Sequence, residues 1–406
     1  MKDRAQNTTY SRFVEALCVC ALCAVLVAGL WPFHAPRNEA YWLQNKNGLH
    51  FGRHGSILSA SKFQATGSDE DASGSLEVWL EPSLLNEKKT VLAFDSSEHL
   101  GAPFSVVQQE DALFVQRYNV DNQGISRTGG FEVPGVFRKN KRVLITITVG
   151  RRSTSVYIDG APAMLSRILG SSSNNLSGRL VLGNSPTADN SWSGAIFGVA
   201  IYHKELTAAQ VRQHYESWTV AGKPDITYDE APVGLYLFDE RGGRIVHNQL
   251  DVTTYLLMPT HYFVLHPSFL APPWRRFRYG WPGWGFWQDA IVNIIGFVPV
   301  GFLLLNYLSV VHPVKRRAAT AILCGLFLSL TIETLQRFLP TRYSDMNDLI
   351  TNTLGTAVGV ALYRCGLARR ARTRITTYSL GVLANPHEHA INSINNRQKE
   401  SKEIAM

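Results

Sequence analysis

The chain has 406 residues, of which 45% are hydrophobic and 18% are charged, and its formal net charge is +8. This length accommodates a soluble domain of ordinary size together with a small membrane domain. The basic clusters lie beside apolar runs, where Lys and Arg anchor membrane helices on the cytoplasmic side, so we exclude nucleic acid as a partner. All five cysteines lie in or at the ends of apolar runs, which excludes a disulfide framework for the polar middle of the chain.

Four apolar runs are long enough to cross a membrane. The first, at residues 14–31, follows several basic residues and has no small-x-small cleavage site after it, so we expect a retained helix and not a signal peptide. The other predicted spans lie at about 290–311, 318–338 and 349–365. The apolar stretch at 255–270 is interrupted by prolines and histidines, and it is predicted to be an interfacial segment or a strand.

The distribution of Lys and Arg predicts how these spans are oriented. The N-terminal arm, the loop at 312–317 and the C-terminal tail are all basic, so the positive-inside rule places both termini in the cytoplasm. The insert at about 37–286 and the loop around Arg342 then lie outside. The basic tail at 367–406 is predicted to be disordered.

The insert alternates apolar and polar residues in short runs separated by Gly, Asn, Asp and Ser, which is typical of β-strands. The predicted strands include 75–80, 142–149, 155–158, 178–183 and 194–202. Asp159-Gly160 is a strong hairpin signal. Many short strands with regular turns indicate an all-β sandwich.

Several of these runs resemble a known family. Residues 156–160 (VYIDG), 180–183 (LVLG) and 192–196 (WSGAI) are similar to successive strands of a laminin-G or concanavalin-A-like jelly roll. The segment 201–210 (IYHKELTAAQ) is similar to its closing strand and short helix. The resemblance implies the fold but not a ligand, because such domains bind sugars, proteins or nothing known.

One loop of the insert has residues suited to a ligand. Asn184, Asp189 and Asn190 offer oxygen atoms, so Ca²⁺ is the cofactor that this loop suggests, and Trp192 could stack on a saccharide. Alternatively, Asn and Asp only form turns here and Trp192 lies in the core.

The segment at 223–286 is neither clearly sandwich nor clearly span. Residues 236–243 resemble an edge strand and turn of the same jelly roll. Trp274, Trp281, Trp284 and Trp287 precede the second span, where they form either an interfacial belt or a lipid- or glycan-stacking surface. The predicted domains are 1–36, 37–222, 223–286, 287–366 and 367–406.

The apolar third contains three ordered polar motifs. They are D-x3-N-x3-F-x-P-x-G from Asp289, S-x3-E-x2-Q from Ser329, and R-x-S-D-x2-D-x3-N-x2-G from Arg342. Together they resemble the VanZ-like membrane family, named for a protein associated with teicoplanin resistance. The resemblance implies a multi-pass protein of the bacterial cytoplasmic (inner) membrane, in which an all-β jelly-roll sandwich is inserted into a small four-helix transmembrane domain. It supplies no reaction.

The predicted orientation gathers the polar residues at the outer membrane boundary. The candidate site comprises Asp289, Asn293, Glu333, Gln336, Arg342, Asp345, Asp348 and Asn352. Ionisable residues are costly in a membrane, which favours a role for them. A purely structural explanation remains open. In it, carboxylates complement helix dipoles, and Glu333 pairs with Arg342 between helices. Amide side chains hydrogen-bond between helices, which approach closely at Gly355 and Gly359.

Two classes of function follow. In the first, a non-catalytic binding or accessory protein uses Arg342 to bind an anionic lipid headgroup or cell-wall precursor, while the sandwich binds a glycan or an envelope protein. In the second, a membrane enzyme acts on a lipid-linked phosphate or glycan, with Glu333 as general base and Asp345 and Asp348 holding a metal. Because no nucleophile or metal-ligand motif is complete, we favour binding and leave enzymatic activity open.

Overall fold

The computed structural model describes residues 2–64, 73–85, 88–95, 104–120, 126–150, 153–166, 176–187, 190–267, 269–272 and 284–366. The described residues form two compact units. The helical unit draws on Met1–Trp31, Phe269–Gln336 and Ser344–Met406, and the sandwich unit on Pro32–Ser268 and Arg337–Tyr343.

The sandwich unit consists of two antiparallel sheets. Its strands are β1 (Ala40–Trp42), β2 (Leu49–Phe51), β3 (Ile57–Ser59), β4 (Gly74–Pro82), β5 (Lys88–Asp95), β6 (Phe104–Gln109), β7 (Ala112–Val120), β8 (Ser126–Val133), β9 (Val143–Val149), β10 (Thr154–Ile158), β11 (Ala161–Ser166), β12 (Arg179–Leu182), β13 (Gly194–Tyr202), β14 (Pro232–Tyr236), β15 (Ile245–Val246) and β16 (Leu256–Leu257). One sheet has the order β1-β2-β13-β4-β9-β10-β11, with β14 also paired to β13. The other has the order β15-β16-β3-β12-β5-β6-β7-β8.

The predicted all-β sandwich is confirmed, and its hairpin forms as the turn residues require. Ile158 pairs with Ala161 across the β10–β11 hairpin. Asp159 and Gly160 between them have φ values of 50° and 77°, both in the left-handed region. A two-residue hairpin loop needs this conformation because it matches the twist of the strands.

Both sheets contribute to one apolar core. Phe51 in one sheet and Phe94 and Phe104 in the other are at most 1% exposed. Trp192 is in the same core, with its ring 6.3 Å from that of Phe51. Burial of each such side chain contributes roughly 1.5–3 kcal/mol, so the core can hold the sandwich together without disulfides.

The alternation of apolar and polar residues in β4 predicts that one of its faces is exposed, but Ser75 and Glu77 on the polar face are fully buried. Helix α2 (Ala208–Ala221) belongs to the sandwich unit, and its buried residue Trp218 reaches Glu77. Ser75 Oγ donates to the carbonyl of Lys204 and accepts from the backbone of Leu206. The segment between β13 and α2 therefore covers the polar face of β4, which the alternating sequence of the strand predicts to be exposed to solvent.

The sandwich extends beyond residue 222. Strand β14 pairs with β13, and β16 pairs with β3, so parts of the predicted connecting segment complete both sheets. The edge strand expected within 236–243 lies earlier in the chain, because β14 spans Pro232–Tyr236. Phe238 and Arg241 beyond it have positive φ values of 50° and 57°, which interrupt an extended chain.

The helical unit contains α1 (Lys2–Leu30), α3 (Trp284–Val310), α4 (Arg317–Gln336) and α5 (Met346–Arg364). Within the described residues, three stretches are long and apolar enough to cross a membrane: Thr9–Leu30, Trp284–Val310 and Arg317–Gln336. The predicted fourth span is not confirmed, because α5 is richer in Asn, Asp and Thr. A four-helix transmembrane domain therefore remains a prediction.

Helices α3 and α5 pack with their backbones in contact. A Cβ on Gly355 would lie 2.3 Å from the carbonyl oxygen of Ile294, and one on Gly359 would lie 2.1 Å from that of Val298. Gly301 on α3 is equally close to Thr356 on α5. The expected small-residue face at Gly355 and Gly359 is thus present and allows the close crossing.

Candidate functional site

Among the described carboxylates of the helical unit, Glu333 is the most buried, with 1% of its surface exposed. Its Oε2 accepts a 2.9 Å hydrogen bond from the backbone N–H of Asp345, and the Ser344 side chain also hydrogen-bonds to it. Ser344 is held in turn, because its Oγ accepts from Leu270 N and its carbonyl accepts from Ala271 N. The carboxylate at the end of α4 therefore fixes the segment that enters α5.

Asp345 begins α5 as its N-cap. Its Oδ1 accepts from Asn347 N at 2.9 Å, which satisfies one of the helix's unpaired amide groups. Asp348 lies in the first turn, where a carboxylate complements the helix dipole, and it interacts electrostatically with Glu333. The position of Asp348 agrees with the structural explanation, in which its charge complements the helix dipole.

Two buried amide side chains flank Glu333. Asn352 Nδ2 donates to Ser329 Oγ at 3.0 Å, and Gln336 Nε2 donates to the Gly29 carbonyl at 2.9 Å. In the described structure, Asn352 Oδ1 and Gln336 Oε1 are buried without a hydrogen-bond partner. A buried acceptor without a partner is costly, so these two oxygens mark positions where a donor would be stabilised. The Glu333 cluster hereafter means Ser329, Glu333, Gln336, Ser344, Asp345, Asp348 and Asn352.

The three remaining predicted site residues lie on α3 and in the segment between α4 and α5. Asp289 does not open its span as expected, because α3 begins at Trp284, and Asp289 is exposed in the second turn. Asn293 is half-buried one turn further along. Arg342 belongs to Arg337–Tyr343, which groups with the sandwich unit, and its backbone donates to Leu339. The predicted Glu333–Arg342 tie stays a prediction.

The loop proposed for Ca²⁺ is held by its own hydrogen bonds. Asn184 Oδ1 accepts from Asn190 N at 3.0 Å, and Asn190 Nδ2 donates to Thr90 Oγ1. Trp192 is 1% exposed and donates to Gln108, so it belongs to the core and does not stack on a sugar. Asp189 lies outside the described residues. Among those described, no group of three or more His, Cys, Asp or Glu is placed to hold a metal.

A groove of about 480 Å³ lies on the sandwich unit, at the ends of β3 and β13 and the start of β14. We call it the His203 groove, and its lining is Ser61, Lys62, Phe63, Gln64, His203, Pro232, Val233, Leu250, Asp251, Thr253 and Thr254. Sequence analysis missed it because these residues come from four separate stretches of the chain. Only pairing of β13 with β14, and of β3 with β16, brings them together.

His203 is polar and unsatisfied within this groove. One ring nitrogen bonds to the backbone of Gln64, and Nε2 is buried without a partner in the described structure. Burial lowers the pKa of His203, although the Gln64 bond opposes this. The ring is therefore neutral at neutral pH, and its Nε2 is a hydrogen-bond acceptor.

A second buried polar group was also missed by sequence analysis. His214 on α2 is fully buried, with Nδ1 3.1 Å from Glu77 Oε1 and Nε2 3.3 Å from Glu230 Oε2. Tyr202 and Trp218 both donate to Glu77 Oε2. Burial alone would lower the pKa of His214, but the hydrogen bonds and charges of the two glutamates outweigh it and raise the pKa. The group ties α2 to the sheet.

Two family models match parts of the chain. Residues 234–369 match VanZ/LLP1, and residues 56–212 match the Concanavalin A-like lectin/glucanases superfamily. Both matches fall on the regions whose motifs resemble these families, which confirms the two resemblances. No curated protein sequence matches the chain.

Solved structures show distant likeness to about half of the chain. A provisionally assigned carbohydrate-binding protein from Bacteroides ovatus ATCC 8483 is 12% identical, with a TM-score of 0.38, covering 54% of this chain and 61% of that one. The heptameric SAP-like pentraxin from Limulus polyphemus is 11% identical, with a TM-score of 0.35, covering 54% and 93%. The Botulinum neurotoxin serotype D binding domain is 16% identical, with a TM-score of 0.33, covering 47% and 49%. These likenesses are too weak to carry an argument about function.

Proposed function

The chain combines a VanZ-like domain with a concanavalin A-like lectin domain, and from this premise we propose a membrane-anchored glycan-binding protein of the bacterial envelope. One observation carries the proposal: the sandwich lies in the chain between α1 and α3, both of which are long and apolar enough to span a membrane. A domain inserted in this way is tethered to the membrane at both ends. With both termini in the cytoplasm, it would face the outside, where envelope glycans lie.

The Glu333 cluster adds a second part to the proposal. We assign it as a polar site at the membrane boundary that receives the headgroup of a lipid or a lipid-linked precursor. Support comes from Gln336 Oε1 and Asn352 Oδ1, which are buried acceptors lacking partners among the described residues. Polar groups inside a membrane are costly, so they are rarely retained there without a role. Recognition of an anionic headgroup by Arg342 remains a prediction from the sequence.

The arrangement supports binding more than catalysis. A general base needs a carboxylate that can reach a substrate proton, whereas Glu333 Oε2 is occupied by the Asp345 amide. A metal ligand needs free carboxylate oxygens, whereas Asp345 Oδ1 caps α5. These two oxygens already stabilise the junction between α4 and α5, which favours a binding role over a catalytic one.

Glycan retention by the full-length protein tests the proposal. The protein, reconstituted in lipid nanodiscs, is incubated with purified peptidoglycan and with immobilised oligosaccharides. We expect saturable retention on at least one glycan, which the soluble form of that glycan competes. A folded protein retained by none of them would contradict the proposal.

A matched variant assigns the binding to the sandwich. Ile201 is fully buried in β13, so Ile201→Asp places a charge in the sandwich core while leaving the helical unit unaltered. The variant should still insert into membranes but lose glycan retention. Retention at the wild-type level would show that another part of the chain binds the glycan.

A further inference from the structure

The His203 groove has the dimensions of a small-molecule site. Its volume of about 480 Å³ falls within the range of roughly 300–1,000 Å³ that is typical of ligand pockets. Its lining joins polar side chains to an apolar wall formed by Pro232, Val233 and Leu250. A saccharide presents both kinds of surface, with hydroxyl groups at its rim and C–H groups on its ring face.

Two lining side chains are available to a ligand at the surface of the groove. Lys62 and Gln64 are both exposed and both line the groove. They supply an ammonium donor and an amide that donates and accepts, and hydroxyl groups can hydrogen-bond to both.

The opposite wall is preorganised. The Asp251 carboxylate accepts from Thr253 N and from Thr253 Oγ1, both at 2.9 Å, so its turn is fixed. Ser61 Oγ donates to the Thr253 carbonyl and joins this turn to the end of β3. A rigid wall reduces the entropy lost when a ligand binds.

The charge of the described lining selects the ligand class. Lys62 contributes one positive charge, Asp251 contributes one negative charge, and the low pKa of His203 keeps its ring neutral. The described lining therefore has no net charge and offers no concentration of positive charge that would favour an anionic ligand.

We propose that the His203 groove is the glycan site of the sandwich and that it takes a neutral saccharide. This inference rests on the proposed glycan-binding function and adds to it the place of binding and the selectivity. Lys62 and Gln64 hydrogen-bond the hydroxyl groups, and the wall at Val233 and Leu250 contacts the ring face.

Titration calorimetry on the full-length protein in nanodiscs tests the inference. The probes are neutral tetrasaccharides of N-acetylglucosamine, glucose and mannose, and an acidic tetrasaccharide of galacturonate. We expect a neutral probe to bind, and the double variant with Lys62→Ala and Gln64→Ala to bind it about tenfold more weakly. Lys223→Ala, which removes an exposed lysine outside the groove, should leave the affinity unchanged.

The outcomes separate this inference from the proposed function. If wild type binds a neutral probe and the double variant binds it equally well, the groove assignment is overturned while glycan binding stands. Tighter binding of the galacturonate probe than of every neutral probe would overturn the selectivity. If the wild-type protein binds no probe in the titration and is retained by no glycan in the retention assay, the proposed function is wrong, and this inference is wrong with it.

Discussion

His214 Nδ1 lies 3.1 Å from Glu77 Oε1, and both side chains are fully buried. This pair joins α2 to β4, which are 137 residues apart in the chain. The other ring nitrogen lies 3.3 Å from Glu230, so the imidazole bridges two carboxylates. A protonated histidine places one positive charge between the two buried carboxylates and thereby stabilises both.

Replacing His214 should destabilise the sandwich. His214→Ala leaves two buried carboxylates without their shared cation, and breaking such a group costs about 3–5 kcal/mol. Urea unfolding of the full-length protein, followed by tryptophan fluorescence, measures the loss. The control is Arg212→Ala on the same helix. The Arg212 side chain is 78% exposed, so its removal should change the free energy of unfolding little. Equal stability of the two variants would contradict a stabilising role for the bridge.

The same residue predicts a dependence on pH. Because the folded state raises the pKa of His214 above its ordinary value of 6.5, its contribution is fully present below that value. The contribution is then lost as the pH rises through the raised pKa. When the pH is raised above 6.5, amide hydrogen exchange in α2 should therefore accelerate. The acceleration should exceed the ordinary increase that hydroxide catalysis of exchange produces. His214→Gln should remove this excess; if it persists, another group is responsible.

Helix crossing in the helical unit should not tolerate a side chain at Gly359. The Cβ of Gly359→Ala would lie 2.1 Å from the carbonyl oxygen of Val298, so α3 and α5 must separate. We expect a lower melting temperature and a lower yield in detergent. Gly296→Ala on α3 is the control, because its Cβ meets nothing within 4 Å. Similar losses in both variants would point to a general effect of alanine.

Glu333 variants separate a headgroup site from a purely structural tie. Glu333→Gln keeps a carbonyl oxygen for the Asp345 amide, whereas Glu333→Ala leaves that buried donor unpaired at a cost of roughly 1–3 kcal/mol. If the cluster binds a headgroup, the Gln variant should fold and yet lose copurifying lipid, measured by mass spectrometry. Thr331→Ala, an exposed neighbour on α4, is the control. Lipid content that falls only in proportion to folded protein would favour the structural tie.

Cysteine labelling tests the predicted orientation. Tyr228 is 98% exposed on the sandwich, so Tyr228→Cys offers an accessible thiol once the five native cysteines are replaced by alanine. A membrane-impermeant maleimide should label it in intact cells or spheroplasts. Labelling that appears only after lysis would place the sandwich in the cytoplasm and overturn the proposed topology.

Local patterns predicted much of this fold. Alternation located β9 and β13, and Asp159-Gly160 located a hairpin, because strand period and turn conformation depend on neighbouring residues. The burial of Glu77 could not be read in this way. Its polar side chain alternates as a solvent-facing residue would, and only the return of α2 brings His214 over it.

The candidate site shows the same division. Spacing correctly placed Glu333 and Gln336 on one buried face, since three residues make nearly one helical turn. Asp289 was misplaced because the Trp-rich segment before it continues the helix to Trp284. The bond from Asp345 to Glu333 depends on how the chain turns between α4 and α5, which periodicity does not describe.

The VanZ/LLP1 match overlaps the sandwich at strand β14. This match begins at residue 234, inside β14, yet the strand completes one sheet of the sandwich by pairing with β13. Tyr236 at the end of β14, and Phe238 and Val246 beyond it, are core residues of the sandwich. A sandwich fragment ending at residue 212, where the Concanavalin A-like match ends, would expose an unpaired strand edge and an open core. A stable fragment should therefore extend at least through β16, which pairs with β3 in the second sheet.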